Sequence, residues 1–326
     1  MKILIIRFSS IGDIVLTTPV IRGLKKQLKK SEIHFITKSA YTSILENNPY
    51  IDKVYSFTNS LSEIIPHLKK ENYDYIIDLH KNIRSLSLRW KLKTKSFSFN
   101  KLNFQKWLLV NFKINKLPDI HIVDRYLKAT ESLGVKNDGL GLDYFIPKNA
   151  EIEGKKIIEK IKKDYLVIVL GGKFFTKKLS VEKIINIGQK VNRAIVILGG
   201  KDEIEEAKRI EKKLAVTNLC GTIDLNTSAF IVKNATKILT NDTGLMHIAA
   251  TFNKEIISVW GNTIPEFGMF PYFNKDTPKT NSHIIEVKNL KCRPCSKLGY
   301  KKKCPEGHFK CINKIDEKKI LQIINQ

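Results

Sequence analysis

The hydrophobic pattern of this chain alternates between short apolar runs and longer amphipathic stretches. Apolar runs without polar alternation are typical of strands in a parallel sheet that is covered on both faces. Helices are expected between them, and strands separated by helices of about 10–15 residues indicate parallel βαβ units. The predicted strands are 2–6, 32–37, 53–56, 74–79, 165–170, 194–198, 237–240 and 255–259; the predicted helices lie near 14–29, 60–70, 82–93, 121–133, 180–191, 203–214, 224–234 and 244–252.

The strand and helix signals form two series, one on each side of the charged stretch 147–164. We therefore predict two Rossmann-like domains, residues 1–150 and residues 151–326. A chain of 326 residues with 42% hydrophobic residues can fill two domain cores. No apolar run approaches the ~20 residues that span a bilayer. Because Arg7 and Asp13 interrupt the first apolar stretch, the start does not fit a signal peptide, and a soluble cytoplasmic protein is expected.

A loop with a single carboxylate follows the first strand. Ser10, Gly12 and Asp13 come directly after residues 2–6, and a helix is expected to follow. Open α/β sheets bind ligands at the carboxyl ends of their strands, so Asp13 lies where a reactive group would be placed. The same residue could instead cap a helix that begins at Ile14, which is a common use of aspartate.

A second polar loop follows the strand 237–240, in the segment 241–250. Asp242 or Thr243 could cap the next helix, and the free N–H groups of a helix start form a site for phosphate. His247 lies four positions after Thr243 and can share its face of the helix. The alternative is an ordinary capped helix with a packed histidine.

Together these segments resemble glycosyltransferase family 9, the ADP-heptose:lipopolysaccharide heptosyltransferases. The family marks S-x-G-D-x-x-x-x-T-P and D-[ST]-G-x-x-H-x-A-A stand here at residues 10–19 and 242–250. The resemblance implies an α/β GT-B fold, with two Rossmann-like domains whose parallel sheets face a central cleft. The amino-terminal domain would bind the acceptor, and the carboxy-terminal domain would bind the nucleotide sugar.

The resemblance also implies an activity: an inverting glycosyltransferase that moves heptose from ADP-L-glycero-D-manno-heptose to the inner core of a lipopolysaccharide precursor, with no cofactor required. The same fold could use another nucleotide sugar or acceptor. A non-catalytic basic protein that binds nucleic acid or membrane is a further alternative.

The resemblance assigns roles to residues in both halves. Asp13 would be the catalytic base. Residues 176–180 depart from the family pattern T-K-[RH]-W-P, because Trp and Pro are missing, although the basic charge is kept. The expected acceptor-binding residues are Ser10, His80 and Arg84; the expected donor-binding residues are Thr176, Lys177, Asp242, Thr243, Gly244 and His247.

The charge of the chain suggests a partner. Its formal net charge is +25, with +12 on residues 1–150 and +13 on the rest, and residues 79–116 hold ten Lys or Arg, no acidic residue and six interleaved Trp or Phe. This mixture suits an anionic membrane surface, but it would also suit nucleic acid or a solvated helix face. The resemblance favours an anionic glycolipid acceptor and a transient, peripheral contact with the inner face of the inner membrane, and no nucleic acid is then expected.

Four of the five cysteines lie near the carboxyl end: Cys292, Cys295, Cys304 and Cys311, with His308 before the last. A Cys-x-x-Cys followed by two thiols is a pattern of structural zinc sites, whereas disulfides are rare in the cytosol. Several family members carry a similar tail without zinc being a defining cofactor. Structural zinc and reduced structural thiols therefore both remain open, and Cys220 is expected to be a small buried apolar residue.

Overall fold

The structure, a computed structural model, describes residues 1–161, 164–172, 174–300 and 303–326. The chain forms two compact units: Met1–Lys101, Ile120–Phe145 and Tyr272–Lys275 make the first, while Leu102–Asp119, Ile146–Pro271 and Asp276–Gln326 make the second. This division differs from the expected boundary after residue 150, because residues 102–119 belong to the second unit and residues 272–275 to the first. None of the helices in the described ranges is long and apolar enough to cross a membrane.

The eight predicted strands are all present, and three short strands join them. Within the described residues the strands are β1 (Lys2–Ile6), β2 (Glu32–Lys38), β3 (Lys53–Phe57), β4 (Tyr75–Asp78), β5 (Ser96–Ser98), β6 (Tyr165–Val169), β7 (Ala194–Leu198), β8 (Thr217–Asn218), β9 (Lys237–Asn241), β10 (Glu255–Trp260) and β11 (Ser282–Glu286).

The sheet of the first unit is parallel, in the order β3-β2-β1-β4-β5. Ile3 of β1 lies opposite Ile33 of β2 and Tyr75 of β4. Residues 3–6 are completely buried, as the continuous apolar run requires. The strand order reverses between β1 and β4, which makes the carboxyl ends of these two strands the topological switch point, where α/β sheets bind ligands.

The sheet of the second unit is also parallel, in the order β11-β10-β9-β6-β7-β8. Leu166 of β6 pairs with Lys237 of β9 and Ile195 of β7. Here the order reverses between β6 and β9, so this sheet has its switch point at the carboxyl ends of those strands.

The helices cover the sheets, and two of the predicted helices are divided by proline. Pro19 and Pro66 stand in the first turn of α2 and α3, where a missing N–H costs nothing, so each starts a new helix. The described helices are α1 (Ile11–Val15), α2 (Thr18–Gln27), α3 (Ile65–Lys70), α4 (Ile83–Leu92), α5 (Asn103–Phe112), α6 (Ile122–Leu127), α7 (Lys148–Ile158), α8 (Val181–Gly188), α9 (Ile204–Glu211), α10 (Leu225–Asn234), α11 (Gly244–Thr251), α12 (Lys310–Asn313) and α13 (Glu317–Asn325).

The charged stretch 147–164 contains a packed helix, so it is more than a connection between domains. Helix α7 lies against α10, and the Thr227 hydroxyl donates to a Glu153 carboxylate oxygen at 3.1 Å. Gly154 faces Phe230 so closely that an added Cβ would lie 2.3 Å from the ring. Glycine at this position allows the two helices to approach each other.

Candidate active site

Asp13 lies in the first turn of α1, just beyond the carboxyl end of β1. The helix begins at Ile11, earlier than predicted, and Ser10 is its N-cap residue. The Ser10 hydroxyl donates to Asp13 Oδ2 at 2.7 Å, and the Ser10 N–H donates to the same oxygen at 3.3 Å. The expected alternative, Asp13 as the cap of a helix from Ile14, is therefore wrong; the carboxylate instead completes the capping box of α1. Its side chain is 24% exposed, so a ligand can reach it.

Arg7 holds the other oxygen of this carboxylate, although the sequence motif that contains Asp13 does not include Arg7. Its guanidinium is 2.6 Å from Asp13 Oδ1. It also donates to the carbonyl oxygens of Ser9 at 2.7 Å and Leu79 at 2.6 Å, and to the Tyr126 hydroxyl at 3.0 Å. Burial opposes the charged form of Arg7, but Asp13 and Tyr126 outweigh it and raise the arginine pKa. The signal that could have revealed Arg7 is its position directly after β1.

Asp78 ends β4 and His80 follows it, at the same switch point. The buried Asp78 carboxylate accepts from the backbone N–H of His80 at 3.0 Å and of Lys81 at 2.7 Å, and from the Ser85 hydroxyl at 2.8 Å. The buried Asp78 carboxylate therefore holds the loop that carries His80 in place. Ser85 itself is buried and belongs to this support.

His80 is a neutral imidazole near the two charged residues of the β1 loop. Its ring packs against Phe8, with centroids 4.7 Å apart, and its buried Nδ1 has no hydrogen-bond partner among the described residues. Burial, followed by the charges of Arg7 and Lys101, lowers the His80 pKa to about 3. His80 can therefore offer a hydrogen bond to a ligand without adding charge at neutral pH.

Further cations surround this site. Burial lowers the pKa of Lys101, as does the charge of Arg7, while Asp78 and Asp13 oppose the shift. Arg84 is exposed on α4 and is close enough to His80 to lower its pKa. Arg84 also lines a cavity of about 230 Å³, together with Asn59, Ser60, Ser62 and Lys91 among others. The first unit thus presents one partly exposed carboxylate, that of Asp13, among several positive charges.

In the second unit, the structure brings together two loops that are 65 residues apart in the chain. Lys177 lies in a 3₁₀ turn, Phe175–Lys177, after β6, and Asp242 follows β9. The Lys177 ammonium and the Asp242 carboxylate form an ion pair in which both side chains are largely buried. Thr263 also donates to Asp242, at 3.3 Å. Both loops emerge at the switch point of this sheet.

The hydroxyl of Thr176 supports this turn. Thr176 is buried; its hydroxyl donates to Asn262 Oδ1 at 3.0 Å and accepts from the Tyr300 N–H at 2.9 Å. The neighbouring Lys178 pairs with Glu206 at 2.7 Å and Glu203 at 3.3 Å. Of the basic turn, Lys177 is therefore the charge directed toward Asp242. Lys173, in the same loop, lies outside the described residues.

Helix α11 begins at the same place. Thr243 is its N-cap and accepts from the Met246 N–H at 3.4 Å, as one of the two sequence interpretations predicted. Gly244 is the first helical residue and is only partly buried, and the first N–H groups of a helix have no carbonyl partner within the helix itself. His247 lies one turn further and is buried. The start of α11 and Lys177 together form a site for an anion.

The carboxy-terminal cysteines are close enough to affect one another. Burial raises the pKa of Cys311 to about 11, and the nearby Cys295 and Cys304 raise it further. Burial also raises the pKa of Cys295, and Cys304 and Cys292 add to that shift. Cys292 Sγ lies 3.8 Å from His308 Nε2. Lys301 and Lys302, within this segment, are not described. Cys220 is buried as expected.

The cysteines do not form a compact ligand set. Across the described ranges, Glu32, His34 and Glu71 are the only group of three or more His, Cys, Asp or Glu whose ligand atoms all lie within 4.8 Å of one another. Glu71 is already paired with Lys2 at 2.6 Å and Lys53 at 2.8 Å. These hydrogen bonds hold the Glu71 pKa well below its usual range. We interpret the group as an ion-pair network at the amino ends of the strands.

Two units, each with a parallel sheet and polar loops at its switch point, are typical of the GT-B class of glycosyltransferases. The family model described as glycosyltransferase family 9 (heptosyltransferase) matches residues 62–305. The chain belongs to this family and is an enzyme of the glycosyltransferase class. The fold predicted from the sequence is thereby confirmed.

The similarity to known proteins covers most or all of the chain. Lipopolysaccharide heptosyltransferase 1 of Campylobacter coli is 27% identical, covering 100% of this chain and 98% of the relative. The glycosyl transferase family 9 structure from Veillonella parvula DSM 2008 superposes with a TM-score of 0.79 at 20% identity, covering 99% of this chain and 95% of the other. The E. coli heptosyltransferase WaaC with ADP-2-deoxy-2-fluoro heptose gives a TM-score of 0.63 at 19% identity, covering 87% of this chain and 92% of the other.

Proposed function

We propose that the enzyme transfers heptose from ADP-L-glycero-D-manno-heptose to the inner core of a lipopolysaccharide precursor, with inversion at the anomeric carbon. The observation that carries this proposal is the placement of both motif loops at the switch points of their sheets. One loop holds the carboxylate of Asp13, and the other holds Lys177 in a positively charged site that suits an anion. The names of the full-length relative and of the solved structure with a fluorinated ADP-heptose support this donor and acceptor.

In the proposed mechanism, Asp13 removes the proton of the acceptor hydroxyl. The hydroxyl oxygen forms a bond to the anomeric carbon of heptose, the bond from that carbon to the diphosphate oxygen breaks on the opposite face, and ADP leaves with the electron pair. Arg7 and Ser10 each hold one oxygen of the carboxylate, so Asp13 is oriented before the acceptor arrives. Ser10, His80 and Arg84 bind the acceptor, and the surrounding cations suit an anionic glycolipid.

The second unit binds the donor. Lys177 and the first turn of α11 stabilise the charge that develops on the leaving diphosphate, and Asp242, Thr243, Gly244 and His247 complete the donor site, with Thr176 holding the turn. These cationic and backbone donors supply the charge stabilisation, so we expect the reaction to need no added cofactor. A structural zinc bound by Cys292, Cys295, Cys304 and Cys311 would hold the tail and take no part in transfer.

The enzyme acts, in this proposal, in the cytoplasm at the inner face of the inner membrane, where it meets its lipid-linked acceptor. The proposal assigns residues 1–150 mainly to the acceptor and residues 151–326 mainly to the donor. Its partners are a nucleotide sugar, an anionic glycolipid and, transiently, the membrane surface.

The test incubates the purified protein with ADP-, GDP- and UDP-sugars and follows thermal stabilisation and then transfer to de-acylated lipopolysaccharide core. We expect ADP-heptose alone to stabilise the protein and to give product, with and without EDTA. Asp13→Asn should bind ADP-heptose like the wild type and lose transfer by several orders of magnitude. Normal transfer by this variant would show that Asp13 is not the catalytic base. Stabilisation by a GDP- or UDP-sugar would contradict the proposed donor.

A further inference from the structure

Helix α5 exposes a cluster of aromatic rings. Phe104, Trp107 and Phe112 are 66%, 45% and 59% exposed. Phe104 stacks on Trp107 with ring centroids 6.1 Å apart. Trp107 and Phe112 form a T-shaped contact with ring centroids 5.2 Å apart. Ile114, just beyond the helix, is 47% exposed. We call these four residues the α5 apolar face. Single exposed apolar side chains are common, but neighbouring aromatic rings in mutual contact mark an interaction surface.

The helix that carries this face is fixed to the second unit by its opposite side. Leu109 forms a small buried cluster with Ile264 and Phe267. The Lys106 ammonium lies over the Phe267 ring, 5.4 Å from its centroid. Lys113 donates to the carbonyl oxygen of Pro294 at 2.8 Å and so fastens the end of the helix. The α5 apolar face is therefore held outward by a helix that is already packed.

The surroundings of this face are strongly basic. Residues 102–118, the part of the second unit that carries α5, contain Lys106, Lys113 and Lys116 and no acidic residue. The Lys113 bond brings Pro294 against the end of α5. In the sequence, the segment 287–305 around Pro294 is again rich in lysine without any Asp or Glu. A partner of this face must therefore accept apolar rings and be negatively charged around them.

These properties select among possible partners. Protein interfaces are depleted of lysine at their cores, and a symmetric dimer through this face would bring two basic surfaces together. Bases of nucleic acid stack on open ring faces, and here one face each of Phe104 and Trp107 is taken up by the other ring. An anionic bilayer fits both features, because aromatic rings sit at the headgroup level and lysines are attracted by anionic lipid.

We propose that the α5 apolar face is the surface by which this enzyme docks on anionic membrane. The inference rests on the proposed function in that a lipid-linked acceptor requires the enzyme to reach a bilayer. The rings of Phe104, Trp107 and Phe112 enter the interface, and the lysines around them hold the lipid charge. Docking is then a property of the second unit.

The test measures co-sedimentation with phosphatidylcholine vesicles, with and without phosphatidylglycerol. The wild type should bind only vesicles that contain phosphatidylglycerol, and binding should weaken with added salt. The double variant Phe104→Ser, Trp107→Ser should bind about tenfold more weakly or worse. Trp107→Phe should keep binding, and Ile152→Ser, which removes a 57% exposed apolar residue from α7, should behave like the wild type. Wild-type binding by the double variant overturns the proposal.

An activity assay separates this proposal from the proposed function. The double variant should transfer sugar to soluble de-acylated core at the wild-type rate, but should lose transfer to acceptor embedded in vesicles. Equal loss on both acceptors would contradict a docking role. Failure of the wild type on the soluble acceptor would instead contradict the proposed function and would leave the vesicle result intact. A wild-type dimer that the double variant abolishes, or nucleic-acid binding that it abolishes while vesicle binding remains, would overturn the membrane assignment.

Discussion

At the scale of single residues, the catalytic proposal depends on how one carboxylate is held. The sequence motif points to Asp13, but the motif does not contain Arg7, which lies next to β1 and holds Asp13 at 2.6 Å. Arg7 touches no reacting atom in the proposed mechanism. It is a positioning residue that acts through Asp13.

We expect Arg7→Gln to lower kcat/KM by on the order of 100-fold, because Asp13 loses its orientation. Without the neighbouring cation, the protonated carboxyl is favoured, so the acidic limb of the pH–rate profile should move to higher pH. Arg7→Lys keeps the charge and should move the limb less. A pH–rate profile measured for the three proteins checks this, and an unmoved limb in Arg7→Gln would mean that Arg7 only supports the fold.

The neighbouring lysines of the β6 loop form a matched pair. Lys177→Ala should reduce kcat/KM for the donor by about 100-fold or more, because the leaving diphosphate loses a cation. Lys178→Ala should change it only a few-fold, since Lys178 is paired with Glu203 and Glu206. Steady-state kinetics with varied donor, beside melting temperatures for both variants, measure this. Equal losses in the two variants would refute the special role of Lys177.

His80 should make stability depend on pH. An unfolded histidine has a pKa near 6.5, whereas the folded pKa is about 3. Below pH 6.5 the unfolded chain therefore binds a proton that the folded chain does not, so this contribution to stability is present above that pH and is lost as the pH falls toward 3. The melting temperature of His80→Gln should fall a few degrees less between pH 7.5 and pH 5 than that of the wild type. Exposed His67→Gln should melt like the wild type throughout.

At the scale of elements, the apolar runs predicted the central strands because those strands are buried on both faces. The missed strands β5, β8 and β11 are short or less buried, so hydrophobicity gave them little signal. Helix α13 could have been found: Asp316 caps it, and Ile320, Ile323 and Ile324 have helical spacing. The Lys177–Asp242 pair could not be read from the chain, because it depends on β6 and β9 being neighbours in the sheet.

The close packing of α7 on α10 gives a test at this scale. Alanine is a better helix former than glycine, yet Gly154→Ala should destabilise the protein by about 1–3 kcal/mol, because its Cβ would meet the Phe230 ring. Urea unfolding measures the change. Lys155→Ala, on the exposed side of α7, should stay within about 0.5 kcal/mol of the wild type, and adding Phe230→Leu should recover part of the loss in Gly154→Ala. A Gly154→Ala protein as stable as the wild type would show that the helices can move apart freely.

At the scale of the whole molecule, the two units have separate sheets and separate polar loops, so a ligand of one unit should leave the other largely unchanged. We expect ADP to slow hydrogen exchange in the amides of residues 174–179 and 242–247 of the second unit, and to leave residues 7–16 of the first unit near their free rates. Exchange followed by mass spectrometry checks this. Protection confined to residues 7–16 would reverse the assignment of the donor to the second unit.

Residues 102–119 belong to the second unit although they lie within the chain segment of the first. This limits how parts of two related enzymes can be joined into one chain. A chimera joined once, between Phe145 and Ile146, would inherit α5 from one parent and Ile264 and Phe267, on which α5 packs, from the other. Exchange of the complete second unit therefore requires residues 102–119 to be exchanged together with residues 146–271 and 276–326. In a lineage that diversifies by exchanging gene segments, α5 and its packing surface would have to change together.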